Sequence, residues 1–233
     1  MIGLRIYCYV LQPAYAMEEE YQFILRNPFT MYIAGPTKSG KTTFVENLLM
    51  HADLYYSHTP NKIFYFYNMN EPLHYGLRKC VSKFIRGTPS IEWLDKITEE
   101  HGSNITVVID DQALHINKEI AEMFGVGSSR KDVNFIFITQ SLFLSSKEGR
   151  EISRNCNYFV IFKNPRDVIS SNEFFRQLDE DTKLLKSIYK EATRVPHSYL
   201  FIDLHQETNP DNRFLSNIFK EDGKPPVLFR LYE

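Results

Sequence analysis

The stretch Gly35-Pro36-Thr37-Lys38-Ser39-Gly40-Lys41-Thr42 constrains this chain more than any other. It fits G-x-x-x-x-G-K-[ST], a spacing that has chemical meaning only with a strand before it and a helix after it. Both flanks are present. Phe29–Ala34 (FTMYIA) is an apolar run of strand length, and Thr43–Met50 (TFVENLLM) continues with apolar residues at helical spacing. In that arrangement the backbone N–H groups of the loop and of the helix N-terminus converge on an anion, and the helix dipole favours negative charge there. Gly35 and Gly40 allow the tight turn without a Cβ clash. Lys41 is placed for the outer phosphates, Thr42 for a Mg²⁺ ion, and Thr43 for the first helical turn beside them. The expected ligand is a nucleoside triphosphate.

A chain of 233 residues with 43% hydrophobic content can bury one full α/β core. No Pro- or Gly-rich linker divides it, so we expect an N-terminal extension over 1–26 and one nucleotide-binding domain over 27–233. The net charge of −2 gives no general affinity for nucleic acid, although a ring can confine its basic residues to a central channel. Three cysteines lack metal or redox spacing, which points to a reducing compartment. No apolar run reaches the ~20 residues of a membrane span. The opening MIGLRIYCYVLQPAYA is broken by Arg5, Gln12 and Pro13, so it reads as a leading strand or an extension, not an export signal. Met17 is a second candidate start.

Strand and helix patterns alternate along the chain, the signature of a mainly parallel sheet with helices on both faces. After the glycine loop, strands are expected at Lys62–Tyr67, Ile105–Ile109, Val133–Thr139, Tyr158–Phe162, Ser198–Leu204 and Val227–Leu231. Helices are expected at Leu73–Phe84, Ile91–Glu100, Lys118–Phe124, Val168–Leu178 and Asp181–Thr193.

Further chemistry follows in order. Asn104–Gln112 (NITVVIDDQ) is an apolar strand ending in acids, so Asp110 is the expected Mg²⁺ ligand and Asp111 the candidate base for an attacking water. Gln140 ends the next strand, in ITQSLF. If that strand lies between the glycine-loop strand and the acidic one, its amide faces the outermost phosphate and can hold the water or sense the phosphate. Arg130 and Lys131 stand before the same strand, at the edge opposite the nucleotide. A cation there can serve a neighbour's phosphates, and the fixed guanidinium favours Arg130. Lys163-Asn164-Pro165-Arg166-Asp167 has the Asn-x-x-Asp spacing of guanine recognition but carries proline where lysine is usual. A tight turn with Asp167 capping the next helix fits it better. Lys147–Arg154 and Lys183–Arg194 are cationic stretches that read mainly as solvated helix faces, with DNA or subunit contact as the other reading. Phe143 and Leu144 are read as core residues.

Together GPTKSGKTTFVENLL, VVIDDQ, FITQSLF, YFVIFKNPRD and PHSYLFIDL resemble the genome-packaging ATPases of the FtsK/HerA class. The likeness is strongest to those of Polinton (Maverick) elements and related double-stranded DNA viruses, and it runs from about Asn27 to Phe219. It implies a RecA-like (ASCE) P-loop NTPase domain with strand order 5-1-4-3-2 and ATP hydrolysis with Mg²⁺. It also implies a homo-oligomeric ring that threads double-stranded DNA into a capsid, with capsid or portal proteins as partners. By the same likeness Asp111 acts as base, Gln140 as sensor, and Arg130 or Lys131 as the finger. The setting would be the nucleus or cytoplasm of an infected or element-bearing host cell, not secretion. A P-loop kinase, a nucleotide switch, or a copy that binds nucleotide without assembling are the competing readings.

Overall fold

Apolar runs buried on both faces form the middle of a single sheet. In chain order the strands are β1 (Tyr7–Val10), β2 (Thr30–Ala34), β3 (Lys62–Tyr67), β4 (Lys83–Arg86), β5 (Ile105–Asp110), β6 (Val133–Thr139), β7 (Tyr158–Phe162), β8 (Tyr199–Asp203), β9 (Phe214–Ser216) and β10 (Val227–Arg230). Every residue of β2, β6, β7 and β8 is buried. This is what a strand covered on both sides by helices requires. The computed structural model describes residues 7–10, 23–68, 75–110, 116–178, 182–219 and 226–230.

Strand order is β1-β10-β9-β8-β7-β2-β6-β5-β3-β4. The six strands from β7 to β4 are mutually parallel. Strand β8 turns the direction, and β8, β9, β10 and β1 add an antiparallel wing. Within the parallel part, β7-β2-β6-β5-β3 is the 5-1-4-3-2 order expected above.

Alternating side chains feed two cores. On one face Met31, Ile33, Val108, Ile136 and Ile138 pack under α1 (Lys41–Met50), α2 (Ala52–Tyr55) and α3 (Leu77–Cys80). On the other, Tyr32, Val107, Phe135 and Phe137 pack under α4 (Ile91–His101), α5 (Lys118–Glu122), α7 (Lys147–Arg154), α8 (Val168–Leu178) and α9 (Thr182–Ala192). Helices therefore cover both faces. Phe23 and Leu25 are buried in the first core, and Leu25 N–H donates to Tyr55 O at 2.7 Å.

Three expectations change. The described part of Leu73–Phe84 is not one helix: α3 spans a single turn, and β4 follows it (residues 73 and 74 lie outside the described residues). Leu77, Cys80, Val81 and Phe84 have helical spacing, but pairing with β3 and the stacking of Phe84 on Tyr65 (centroids 5.6 Å apart) favour a strand. The helix expected to end at Phe124 instead continues through a π-helical stretch, Met123–Gly127, into α6 (Ser128–Lys131). Arg130 and Lys131 thus close a helix, and the left-handed Asp132 (φ 52°) turns the chain into β6. Of the cationic stretches, α7 is a surface helix anchored by fully buried Ile152. Leu185, Ile188 and Ala192 anchor α9 in the same way, leaving Lys183 and Lys190 exposed.

Candidate nucleotide site

Register brings the sequence-predicted residues together. Ala34 pairs with Thr139, and Ile138 pairs with Asp110. The residues that follow, Gly35 after β2 and Gln140 after β6, therefore emerge at the same carboxyl edge as Asp110. Gly35 N–H donates to Thr139 O at 3.3 Å, which closes the gap between the glycine loop and the strand that carries Gln140. Ligands of open α/β sheets bind outside this edge, where connections diverge.

The loop owes its shape to its glycines. A Cβ on Gly35 would lie 2.6 Å from Phe162 Cβ and 2.8 Å from Ser39 Oγ. Gly40 has φ 111°, a conformation L side chains rarely adopt, and it forms the N-cap of α1. The loop half between them, Pro36-Thr37-Lys38-Ser39, bends through Lys38 at φ 65°. Lys41, the first residue of α1, turns its ammonium back into the loop and donates to Gly35 O at 2.7 Å and Pro36 O at 3.0 Å. Thr42 is half-buried and Thr43 exposed in the same turn. Ser39 Oγ is buried with no hydrogen-bond partner among the described residues. A polar atom left so inside a loop lined with N–H groups suits an anionic guest.

Asp110 is oriented by a residue the sequence reading missed. Tyr65 O–H donates to Asp110 Oδ2 at 2.5 Å. Tyr65 pairs with Val108, two residues before Asp110 on the same face, so its phenol reaches diagonally along the strand pair. Only the β3–β5 register reveals this. The Thr42 hydroxyl and the Asp110 carboxylate form a hard oxygen set, which fits Mg²⁺ completed by phosphate and water. No group of three or more His, Cys, Asp or Glu side chains suited to a metal occurs among the described residues. Tyr65→Phe is therefore expected to raise the Mg²⁺ concentration for half-maximal hydrolysis by about 10-fold, as loss of such outer partners commonly does. A magnesium titration of turnover checks this, and an unchanged curve would leave the phenol a packing role.

Asp111 lies outside the described residues. Gln140 is exposed at the rim, beside Gly35 in a crevice that also involves Asn164, Asp167 and Tyr189. There Tyr189 O–H donates to Phe162 O (3.1 Å) and accepts from Asn164 N–H (3.2 Å), fixing the turn after β7. Asp167 Oδ1 accepts from Ser170 N–H at 3.2 Å, the capping role expected for it. Phe143 packs on Phe174 with centroids 6.2 Å apart. The cysteines take no part: burial pushes the thiols of Cys80 and Cys156 well above their ordinary range, away from reactive thiolate.

Arg130 stands apart, before β6 at the opposite edge. The seven residues of β6 separate it from Gln140 by roughly 20 Å at about 3.3 Å per residue. Lys131 is held by an ion pair with Asp95 of α4, whereas Arg130 is exposed with no ion pair recorded among the described residues. The mount is firm: Ser128 O–H donates to Val133 O at 2.9 Å, and Asn104 N–H to Asp132 O at 2.8 Å.

Strand order, glycine loop and edge geometry define a P-loop NTPase fold of the RecA-like type, α/β with a mainly parallel sheet. Similar solved structures bear this out. The genome-packaging NTPase B204 of Sulfolobus turreted icosahedral virus 2, in complex with ATP-γS, superposes with a TM-score of 0.55 at 15% identity over 77% of this chain and 94% of its own. B204 of Sulfolobus turreted icosahedral virus, described as a DNA-packaging ATPase, gives 0.54 at 13% identity over the same shares, 77% and 94%. The cytoplasmic domain of EssC gives 0.50 at 17% identity, over 82% of this chain and 39% of that one. No protein-family model matches the sequence. No curated protein matches it either.

Proposed function

We propose that this chain is an ATP-hydrolysing DNA translocase of the FtsK/HerA class, related to the packaging ATPases of Polinton-type elements and double-stranded DNA viruses. One observation carries the reading: the Lys41 loop, Asp110 and Gln140 lie side by side on β2, β5 and β6 in the 5-1-4-3-2 order. The overall likeness to B204, itself a genome-packaging enzyme, supports it.

In this reading the loop N–H groups and Lys41 bind the phosphates, and Thr42 and Asp110 hold Mg²⁺, which withdraws charge from the phosphate oxygens when bound. Asp111 takes the proton of the attacking water, and Gln140 orients that water by its amide. Arg130 completes the site of the next subunit in a ring. Double-stranded DNA passes through that ring towards a capsid, where capsid or portal proteins would dock. The domain over 27–233 is the motor, working in the nucleus or cytoplasm of a host cell. No helix among the described residues is long and apolar enough to cross a membrane.

The test is ATP turnover with and without double-stranded DNA, alongside particle mass. We expect DNA to raise turnover several-fold in a multimeric species, less so as salt rises, since phosphate contacts weaken with salt. Turnover indifferent to DNA in a monomer would sink the motor and leave a nucleotide switch or kinase.

A further inference from the structure

A second opening lies beside the glycine loop, on the side away from Asp110 and Gln140. It has a volume of about 260 Å³ and is bounded by loop residues 36–39, the turn after β7, and the turn between α9 and β8. In the sheet, β6 and β5 flank β2 on one side and β7 and β8 on the other. A linear triphosphate whose outer phosphates sit over β6 and β5 must project its nucleoside towards β7 and β8. We infer that this cleft holds the nucleoside, and that it does so without reading the base, so that ATP and GTP are both substrates. The inference rests on Gly35–Thr42 being the phosphate site.

Direct contact between turn and loop builds the cleft. His197, at φ 65°, places Nδ1 3.2 Å from Ser39 O. A carbonyl only accepts, so Nδ1 donates and the turn is clamped to the loop. Gly40 sits beneath, where a Cβ would lie 3.6 Å from His197 Cβ. Two kinds of wall result. Pro165, Val195 and Pro196 offer apolar surface, and Val195 is 56% exposed. Lys38, Lys163 and Arg194 offer positive charge, and no Asp or Glu lines the cleft among the described residues.

The chemistry follows from the walls. Reading guanine needs an acceptor for its N1–H and N2–H₂ donors, usually a carboxylate, and no carboxylate or side-chain amide lines this cleft. The turn's backbone is partly spent on itself, since Val195 O accepts from Ser198 N–H (3.2 Å) and from Ser198 O–H (2.6 Å). A pocket built to hydrogen-bond its ligand rejects a mismatch by about 10⁴-fold, whereas an apolar one discriminates by only about 10- to 200-fold. The shared ribose and stacking surface would supply the affinity here.

The test compares kcat/KM for ATP, GTP, CTP and UTP in the full chain with Mg²⁺, and binding by displacement of a fluorescent ATP analogue. ATP and GTP should agree within about 10-fold. GTP turnover more than 100-fold below ATP would overturn base indifference. Val195→Glu, an exposed change, should weaken ATP and GTP alike by about 10-fold relative to inorganic tripolyphosphate, which has no nucleoside. An unchanged ratio of ATP to tripolyphosphate affinity would overturn the placement of the nucleoside. Failure to hydrolyse any triphosphate would count against the motor, while the displacement measurements would still decide the cleft.

Discussion

Replacing Lys41 with alanine should abolish measurable ATP hydrolysis and weaken ATP binding by roughly 10²- to 10⁴-fold. A hydrogen bond to a charged group contributes about 1.5–3 kcal/mol, and a lysine spanning two outer phosphates supplies two of them. The ammonium is already aimed into the loop, 2.7 Å from Gly35 O and 3.0 Å from Pro36 O. A phosphate oxygen replaces those carbonyls as a stronger, charged acceptor without moving the side chain far. Lys38 does not substitute, since it is exposed on the far bend of the loop. Lys38→Ala should stay within about 5-fold of the parent in turnover, because a solvent-screened charge contributes little. Calorimetric binding and phosphate release in the two variants separate the roles, with thermal melting to show that each is folded. Near-normal turnover in Lys41→Ala would mean that the loop is structural and the site lies elsewhere.

Much of this site was legible because its elements are local. Gly35 to Thr42 is a contiguous loop whose glycines announce the backbone they need, and NITVVID is a strand whose only polar end must face the edge. Gln140 could be placed because β6 is a seven-residue apolar run with one direction and one end. What stayed hidden depends on which strands become neighbours. Tyr65 is one aromatic among several in KIFYFY, and nothing local separates it from Phe64 or Phe66. It meets Asp110 only because β3 pairs with β5 in one particular register. His197 meets the loop from a sequence distance of 158 residues through a left-handed turn. The β4 error has the same root: a short segment with apolar residues at helical spacing becomes a strand when an open sheet edge is there to receive it. The antiparallel wing is likewise a property of the finished sheet, since β8 to β10 have no helices between them to force a parallel crossover.

Alanine at Arg130 should leave ATP binding to isolated subunits unchanged and suppress hydrolysis in the assembly by about 10³-fold, the scale on which such arginines act in trans. The geometry narrows the choice between two cations. Lys131 is paired with Asp95, while Arg130 is exposed at the edge roughly 20 Å from its own Gln140. An arginine side chain covers only a fraction of that distance, so any phosphate it meets belongs to another subunit. Lys131→Ala should therefore cost little turnover, and Arg130→Lys should not restore activity, because a point charge lacks the planar fork of donors. The decisive experiment mixes Arg130→Ala subunits with Lys41→Ala subunits. Each is inactive alone for a different reason, yet some mixed interfaces pair an intact loop with an intact arginine. Part of the activity should return in the mixture, in proportion to the share of such interfaces. No recovery, in mixtures shown by mass to co-assemble, would return Arg130 to its own subunit's surface. Full DNA-stimulated turnover by a strictly monomeric Arg130→Ala protein would remove the ring from the mechanism altogether.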